Sequence, residues 1–382
     1  VFGSSPRIGG LGGHVSQVLE AFSRTSGRIQ ALGPLSVPDD TFGETILLRQ
    51  GAPRIPEWTQ RFTSLRWRHG ELQLQKDTIL GRWASEHLQE EELRFCYVFT
   101  QVGLESLKRV RDRAIRTVLD NPNGHIEHHR RVCVREAELH CRCSYLGHPS
   151  APMVERVAQE YEIAQEIRVS SHWARESMIA RGVPAEKVVV RSLGTDVHKF
   201  KPSGDHHSEG PLRILYVGAL SLGKGFIYLL RAVRKLRPHV QLEIVGSTGD
   251  RCSRRIFARE SEGLPIVHDA SDPRAAYGRA ELFVSPTLHD GFGFVVAEAM
   301  ASGVPVIVTD QAGVSEWVDR GDTGWVCGAG NDQLIQEALE KALERRASLH
   351  DMGMAARETA VRRSSRNEIE EFVFDIATRR VS

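Results

Sequence analysis

A chain of 382 residues exceeds what one hydrophobic core usually supports, and 41% apolar content permits a core in each of two domains. Fifty Lys and Arg stand against 49 Asp and Glu, a formal charge of +1, which excludes a global field that would gather nucleic acid or an anionic membrane. Any anion must therefore be held locally.

No window approaches the roughly 18 apolar residues of a membrane span, and no basic region followed by an apolar run opens the chain, so a soluble, cytoplasmic protein is expected. The cysteines (Cys96, Cys133, Cys141, Cys143, Cys252, Cys327) lack the spacing of a secreted disulfide framework, and reduced thiols are the simpler expectation. Cys141 and Cys143, with His140 and His148 nearby, fall short of a zinc pattern because C-x-C lacks the usual gap and no second pair follows. No metal site is expected.

In chain order, a glycine-rich stretch, Gly9 to Gly13, comes almost at once after Val1, so part of an opening strand is expected to precede the chain start. A helix is expected over 14–22. Residues 34–67, rich in Pro, Gly and Thr, show little periodicity and read as loop and short strand near a substrate opening. Strands follow at 95–99, 116–119, 166–169 and 188–191, with helices at 104–114, 127–140 and 154–163. The hydrophilic run 201–210, with Pro202, Gly204, His206 and His207, has the composition of a linker and marks a domain boundary.

From Arg213 the alternation becomes regular, with strands at 213–217, 241–245, 281–284 and 304–308 and helices at 226–236, 295–301 and 333–343. That is the signature of βαβ units stacked into a parallel sheet, a doubly wound domain. The tail from residue 357 is helical in character, and its stripe of Ile369, Phe372, Val373 and Ile376 must pack on something.

The strongest chemical signal is the segment 285–302. A buried strand runs into a loop with Asp290, Gly291 and Gly293, and a helix then begins at Phe294, so free backbone amides and the helix dipole face one point suited to a phosphate or a sugar hydroxyl. Asp290 before the helix and Glu298 one or two turns into it can both project toward a cleft at the strand ends. The plainer alternative is that Asp290 caps the helix and Glu298 is a solvated face residue.

The second signal, 217–225, places Gly218, Gly223 and Gly225 around Lys224 between a strand and a helix. The glycines let the backbone turn, and Lys224 offers a point charge where a diphosphate would sit. Two weaker signals follow. Gly12 and Gly13 permit close approach to a bound group ahead of His14, and Asp120 or His125, in turn residues after a strand, can bind a hydroxyl or assist proton transfer.

Together these motifs resemble the family-four retaining glycosyltransferases of the GT-B fold. Asp290 to Glu298 within H-D-G-F-G-F-V-V-A-E-A-M-A-S-G-V-P-V-I is similar to the family's E-x7-E signature, V-G-A-L-S-L-G-K-G to its phosphate motif, and Ser192-Leu-Gly-Thr-Asp196 with Phe200 and Pro202 to its linker. Arg168-Val-Ser-Ser171 and the R-G-V-P-A-E-K turn match the end of its first domain. The resemblance implies an α/β architecture of two doubly wound, Rossmann-like domains facing a central cleft. It implies an acceptor domain at 1–198, a donor domain at 199–360, and a helix at 361–382 returning to the first.

It also implies that Glu298 bonds the donor ribose and that Asp290 with Gly291, Phe292, Gly293 and Phe294 holds the sugar and phosphate. Lys224 would then stabilise the leaving diphosphate, and His125 would stand near the reacting carbon. No metal or cofactor is implied beyond the nucleotide-sugar co-substrate, and no nucleic-acid partner. The acceptor stays unidentified. Two positions depart from the family pattern: Asp replaces the usual Glu at 290, and Ala219 replaces an arginine, which leaves charge compensation to Lys224, the helix dipole and Arg7 or Arg191.

Two other classes stay open: an isomerase or phosphorylase on the same fold, and a nucleotide-sugar-binding protein without turnover. Peripheral membrane contact through the basic residues between 104 and 135 is a variant of the first reading, with a solvated helix face preferred.

Overall fold

The computed structural model describes residues 9–25, 29–32, 46–49, 69–89, 93–141, 147–203, 209–264, 266–269, 272–364 and 368–378. The chain divides into two compact units, one of Val1–Arg130, Leu146–Leu193 and Asn367–Ser382, the other of Arg131–Tyr145 and Gly194–Arg366. Residue 7, most of 34–67 and the middle of 201–210 lie outside the described residues.

In the first unit, strands β1 (Ile29–Leu32) and β2 (Ile46–Arg49) pair in parallel, and β3 (Phe95–Phe99), β4 (Arg116–Asp120), β5 (Glu166–Val169) and β6 (Val188–Val190) form a parallel sheet in that order. The helices are α1 (Gly9–Ser23), α2 (His69–Glu86), α3 (Leu104–Val110), α4 (Ile126–His140), α5 (Ala151–Ile163) and α6 (His172–Ile179). The later part of α4, from Arg131, belongs to the second unit. The glycines at 9–13 do not form a loop ahead of a helix, as the sequence suggests; they are the first turn of α1 itself.

One buried charge cluster ties α1 to the sheet. Asp120 at the end of β4 accepts from His14 Nε2 at 2.8 Å and from Arg168 Nη1 of β5 at 3.1 Å, and Tyr97 of β3 also donates to it. Burial pushes the Asp120 carboxyl up, but His14, Arg168 and the hydrogen bonds outweigh it and hold it at about 2. Arg168 is the largest fully buried side chain among the described residues, and its other amino group donates to the Arg191 carbonyl. Asp120 is thus an internal counter-ion, fully buried, and not a ligand carried into a cleft.

The second unit holds a six-stranded parallel sheet of β7 (Leu212–Val217), β8 (Val240–Val245), β9 (Ile266–Asp269), β10 (Leu282–Ser285), β11 (Val306–Thr309) and β12 (Gly324–Cys327), ordered β12-β11-β10-β7-β8-β9. Its central strands β10 and β11 are buried along their whole length, as a sheet covered on both faces requires. The helices are α7 (Phe226–Lys235), α8 (Arg251–Ser261), α9 (Pro273–Arg279), α10 (Phe294–Ala301), α11 (Asp332–Glu344) and α12 (Leu349–Ser364). Strand order reverses between β7 and β10, and at such a point consecutive loops part to opposite faces and leave a crevice.

The tail forms two helices, α12 and α13 (Glu368–Thr378). The stripe Ile369, Phe372, Val373 and Ile376 is buried, and α13 packs on α1 within the first unit.

The expectation of reduced thiols fails at one pair: Cys141 and Cys252 are disulfide-bonded, their Cα atoms 6.7 Å apart. Sequence distance concealed it, because only the fold sets the residue following α4 beside the first turn of α8. Among the described residues no helix is long and apolar enough to cross a membrane.

The Asp120→Ala variant should lose about 3–5 kcal/mol of stability, because removing one partner leaves a buried arginine uncompensated. Denaturant unfolding checks this, and a loss below about 1 kcal/mol would show that Arg168 finds another partner or water.

Candidate active site

The loops after β7 and β10 lie on either side of the strand-order reversal, and the backbone joins them. Leu288 N donates to Gly223 O at 2.9 Å, and Thr287 Oγ1 reaches the same carbonyl at 3.4 Å. The β7 loop turns through a short 3-10 segment, Leu222–Lys224, and then through Gly225 at φ 66°. A side chain there would meet the Pro286 carbonyl, since a Cβ would stand 2.0 Å from its oxygen. Glycine is therefore required by both conformation and space.

That turn delivers Lys224 to Asp290, with Nζ 2.5 Å from Oδ2. Lys224 is 38% exposed and Asp290 18%, so the pair sits at the rim of the crevice rather than in the core. Asp290 itself is held rigidly. Its amide donates to Gln311 O, its carbonyl accepts from Gly313 N, and its Oδ1 accepts from Phe292 N at 3.3 Å.

Phe292 packs edge-on against Trp317 and Phe294, which fixes the path into α10. The helix starts at Gly293, at φ 101°, with no side chain capping it. Its opening end therefore carries helix-dipole charge that no neighbouring side chain absorbs. Asp290 is not the N-cap of α10: its side chain accepts from Phe292 N, ahead of the helix, and the cap position is Gly293. Gly218, at the end of β7, packs beside Gly246, whose Cβ would fall 2.2 Å from the Gly218 carbonyl oxygen.

Glu298 is in the second turn of α10, half-buried, and accepts from Tyr277 Oη at 3.0 Å. Burial pushes its carboxyl up to about 7, against the opposing hydrogen bond of Tyr277 and the charge of Lys199. Tyr277 carries no motif signal in the sequence, and only the packing of α9 beside β7 and β8 reveals it. Nearby, the Cys133 thiol lies 3.8 Å from His289 Nε2, and burial pushes it up to about 12, so it is inert as a nucleophile.

The structure pairs Lys224 with Asp290 across the loops after β7 and β10, sets Gly291, Phe292 and Gly293 on the path into α10, which opens at Phe294 and carries Glu298 in its second turn, and has Gly218 at the root of the β7 loop, all within the second unit. Gly12, Gly13 and His125 belong to the first unit. There the His125 amide donates to Ser177 Oγ, its ring lies against Tyr161, and its Nδ1 accepts from Glu127 N at 3.2 Å. Burial, then Arg181, lowers its pKa to about 4, so at neutral pH the ring is uncharged and carries its proton on Nε2.

The architecture defines a GT-B glycosyltransferase fold. Sucrose-phosphate synthase from Thermosynechococcus elongatus superposes with a TM-score of 0.74 at 18% identity, over 97% of this chain and 94% of that one. Anabaena Alr3699/HepE, solved in complex with UDP-glucose, superposes at 0.67 and 16% identity, over 97% of each chain.

Residues 199–359 match the model of glycosyl transferases group 1. The capsular polysaccharide biosynthesis glycosyltransferase CapM of Staphylococcus aureus is 29% identical over 189 residues, 46% of this chain and 48% of that protein. A D-inositol 3-phosphate glycosyltransferase of Corynebacterium diphtheriae is 28% identical over 199 residues, 46% and 47% of the two chains. The chain thus spans about half the length of the curated relatives it matches.

The Gly225→Ala variant should be destabilised by about 1–3 kcal/mol from backbone strain alone, with further loss from the contact with Pro286. Chemical denaturation reads it, and a neutral effect would mean that the 286–288 backbone moves without cost.

Proposed function

We propose that the chain is a retaining glycosyltransferase that takes a sugar from a nucleotide-diphosphate donor and passes it to an acceptor not yet identified. The observation that carries this reading is the Lys224–Asp290 pair on the loops after β7 and β10, just ahead of the glycine-started helix α10 that carries Glu298 in its second turn. A cation and a helix N-terminus together suit a diphosphate, and a carboxylate further along the helix suits vicinal hydroxyls. UDP-glucose, held by the Anabaena protein, is the first donor to try.

In this reading Glu298 accepts from the donor ribose, Asp290 and the amides of 291–294 hold the sugar and phosphate, and Lys224 stabilises the leaving diphosphate. The glycosidic C–O bond breaks through an oxocarbenium-like state, and the acceptor attacks the same face. Electrostatic stabilisation of the leaving group is the protein's main contribution. No protein nucleophile is assigned. His125, neutral and protonated on Nε2, offers a hydrogen-bond donor rather than a base. Lys224 and the helix take the place of a metal.

One observation favours a binding protein without turnover: Lys224 is paired with Asp290. The donor must compete for that cation. Peripheral membrane contact is a weaker proposal, since Arg116 is engaged by Glu166 and Asp375 and Arg130 by the Pro149 carbonyl.

A nucleotide sugar at a hundred times its dissociation constant should stabilise the protein by about 2.7 kcal/mol, read as a thermal shift across UDP-, GDP- and ADP-sugars. No shift from any of them sinks the donor assignment. Lys224→Ala should lower kcat by roughly a hundredfold to a thousandfold, as loss of one preorganised electrostatic group does. Transfer should also survive exhaustive treatment with a chelator. Donor binding without transfer or donor hydrolysis would favour the binding-protein reading.

A further inference from the structure

We propose that Tyr277 is a positioning residue for the nucleotide donor: its hydroxyl fixes the Glu298 carboxylate in the orientation that receives the ribose hydroxyls. The inference rests on the reading of Glu298 given above and adds a residue to it.

Tyr277 is on α9 and fully buried. Its ring is wedged by Phe200, 5.9 Å away at 82°, and by Phe283, 5.9 Å away at 52°, so the phenol has one available direction. In that direction the hydroxyl meets two acceptors, the Val295 carbonyl and Glu298 Oε2, each at 3.0 Å. A buried phenol needs only one partner for its single proton, and the Val295 carbonyl alone would satisfy it.

The second acceptor therefore has a different use. It commits Oε2 of Glu298 to the protein and leaves Oε1 for a ligand. With both acceptors on α10, the phenol locks the glutamate rotamer to the helix that carries it, and the donor does not have to order that side chain on binding.

Charge follows from the same contact. The groups acting on Glu298 are Tyr277 from α9, Asp272 at the start of α9, and Lys199 from the chain ahead of β7. From α12, Arg357 donates to the Ala301 carbonyl at the far end of α10. Burial holds Glu298 near pH 7, and the Tyr277 hydrogen bond opposes that rise. Removing the hydroxyl raises the carboxyl further, so less of it is ionised at neutral pH. Because ribose hydroxyls bind the ionised form better, affinity falls as pH drops through the carboxyl's pKa, and in Tyr277→Phe that fall comes at higher pH.

The test is UDP binding by calorimetry between pH 6 and 8.5 to the full chain, as wild type, Tyr277→Phe and Glu298→Gln. Wild-type affinity should weaken on acidification through about pH 7, and Glu298→Gln should bind weakly with no such limb. Tyr277→Phe should bind about tenfold more weakly at pH 7, as loss of a hydrogen bond to a charged group implies, and should recover toward the wild-type value at pH 8.5. That recovery is what a merely structural role would not give. A folded Tyr277→Phe with wild-type affinity and an unmoved limb overturns the inference alone. Wild-type affinity in Glu298→Gln overturns the reading beneath it. Should Tyr277→Phe fail to fold, the wild-type curve still decides, since a flat profile near pH 7 also overturns the proposal.

Discussion

The Gly223 carbonyl, shared by Leu288 N and Thr287 Oγ1, is the contact on which the candidate site depends. Two strands adjacent in a parallel sheet would otherwise send their following loops apart, because the strand order reverses between them. Fastening one loop to the other keeps the crevice narrow enough for a lysine from the first to reach an aspartate on the second. Gly225 makes the fastening possible, since any side chain there would occupy the space of the Pro286 carbonyl. A similar economy is seen at Asp290, whose backbone is bonded on both sides to the segment 311–313.

The two units solve the problem of buried charge differently. In the first, Asp120, His14 and Arg168 are fully buried, and the aspartate is compensated by its two partners, which fixes α1 against β4 and β5. In the second, Lys224 and Asp290 stay partly exposed, and Glu298 is held near neutrality in its charge. Charges that an arriving anion can rearrange belong to the second kind. This separates Asp120 from Asp290, which the sequence presents in the same way, as acids following buried strands.

Much of the second unit was legible because fully buried parallel strands read as short apolar runs and their crossover helices as amphipathic ones. The strands at 212–217 and 240–245 and the helices from Phe226 and Phe294 follow from such runs. Helix α8 gave no comparable signal, as five of its 11 residues are charged and it buries only Cys252, Ser253 and Ile256. Helix α9 is seven residues long, with a glycine near its end, and strand β12 begins at a glycine at φ 156°. Within the site, Lys224 and residues 290–298 could be found because each motif is local. Tyr277 could not, because its partner is 21 residues away on another helix, and neither could the compensation of Asp120 by His14, 106 residues off.

The Cys141–Cys252 bond acts chiefly on the chain when it is not folded. It closes a loop of 111 residues, and in the chain-entropy account a loop near that length removes about 4.7 kcal/mol of freedom from the denatured ensemble. That stabilisation is present only where the surroundings are oxidising; a glutathione-reduced cytoplasm would open the bond and forfeit it. Two preparations of this protein, one made under reductant and one without, would then share a fold and a crevice yet differ in how often their chains come apart. The segment 131–141, which belongs to the second unit and ends on this bond, would feel that difference first.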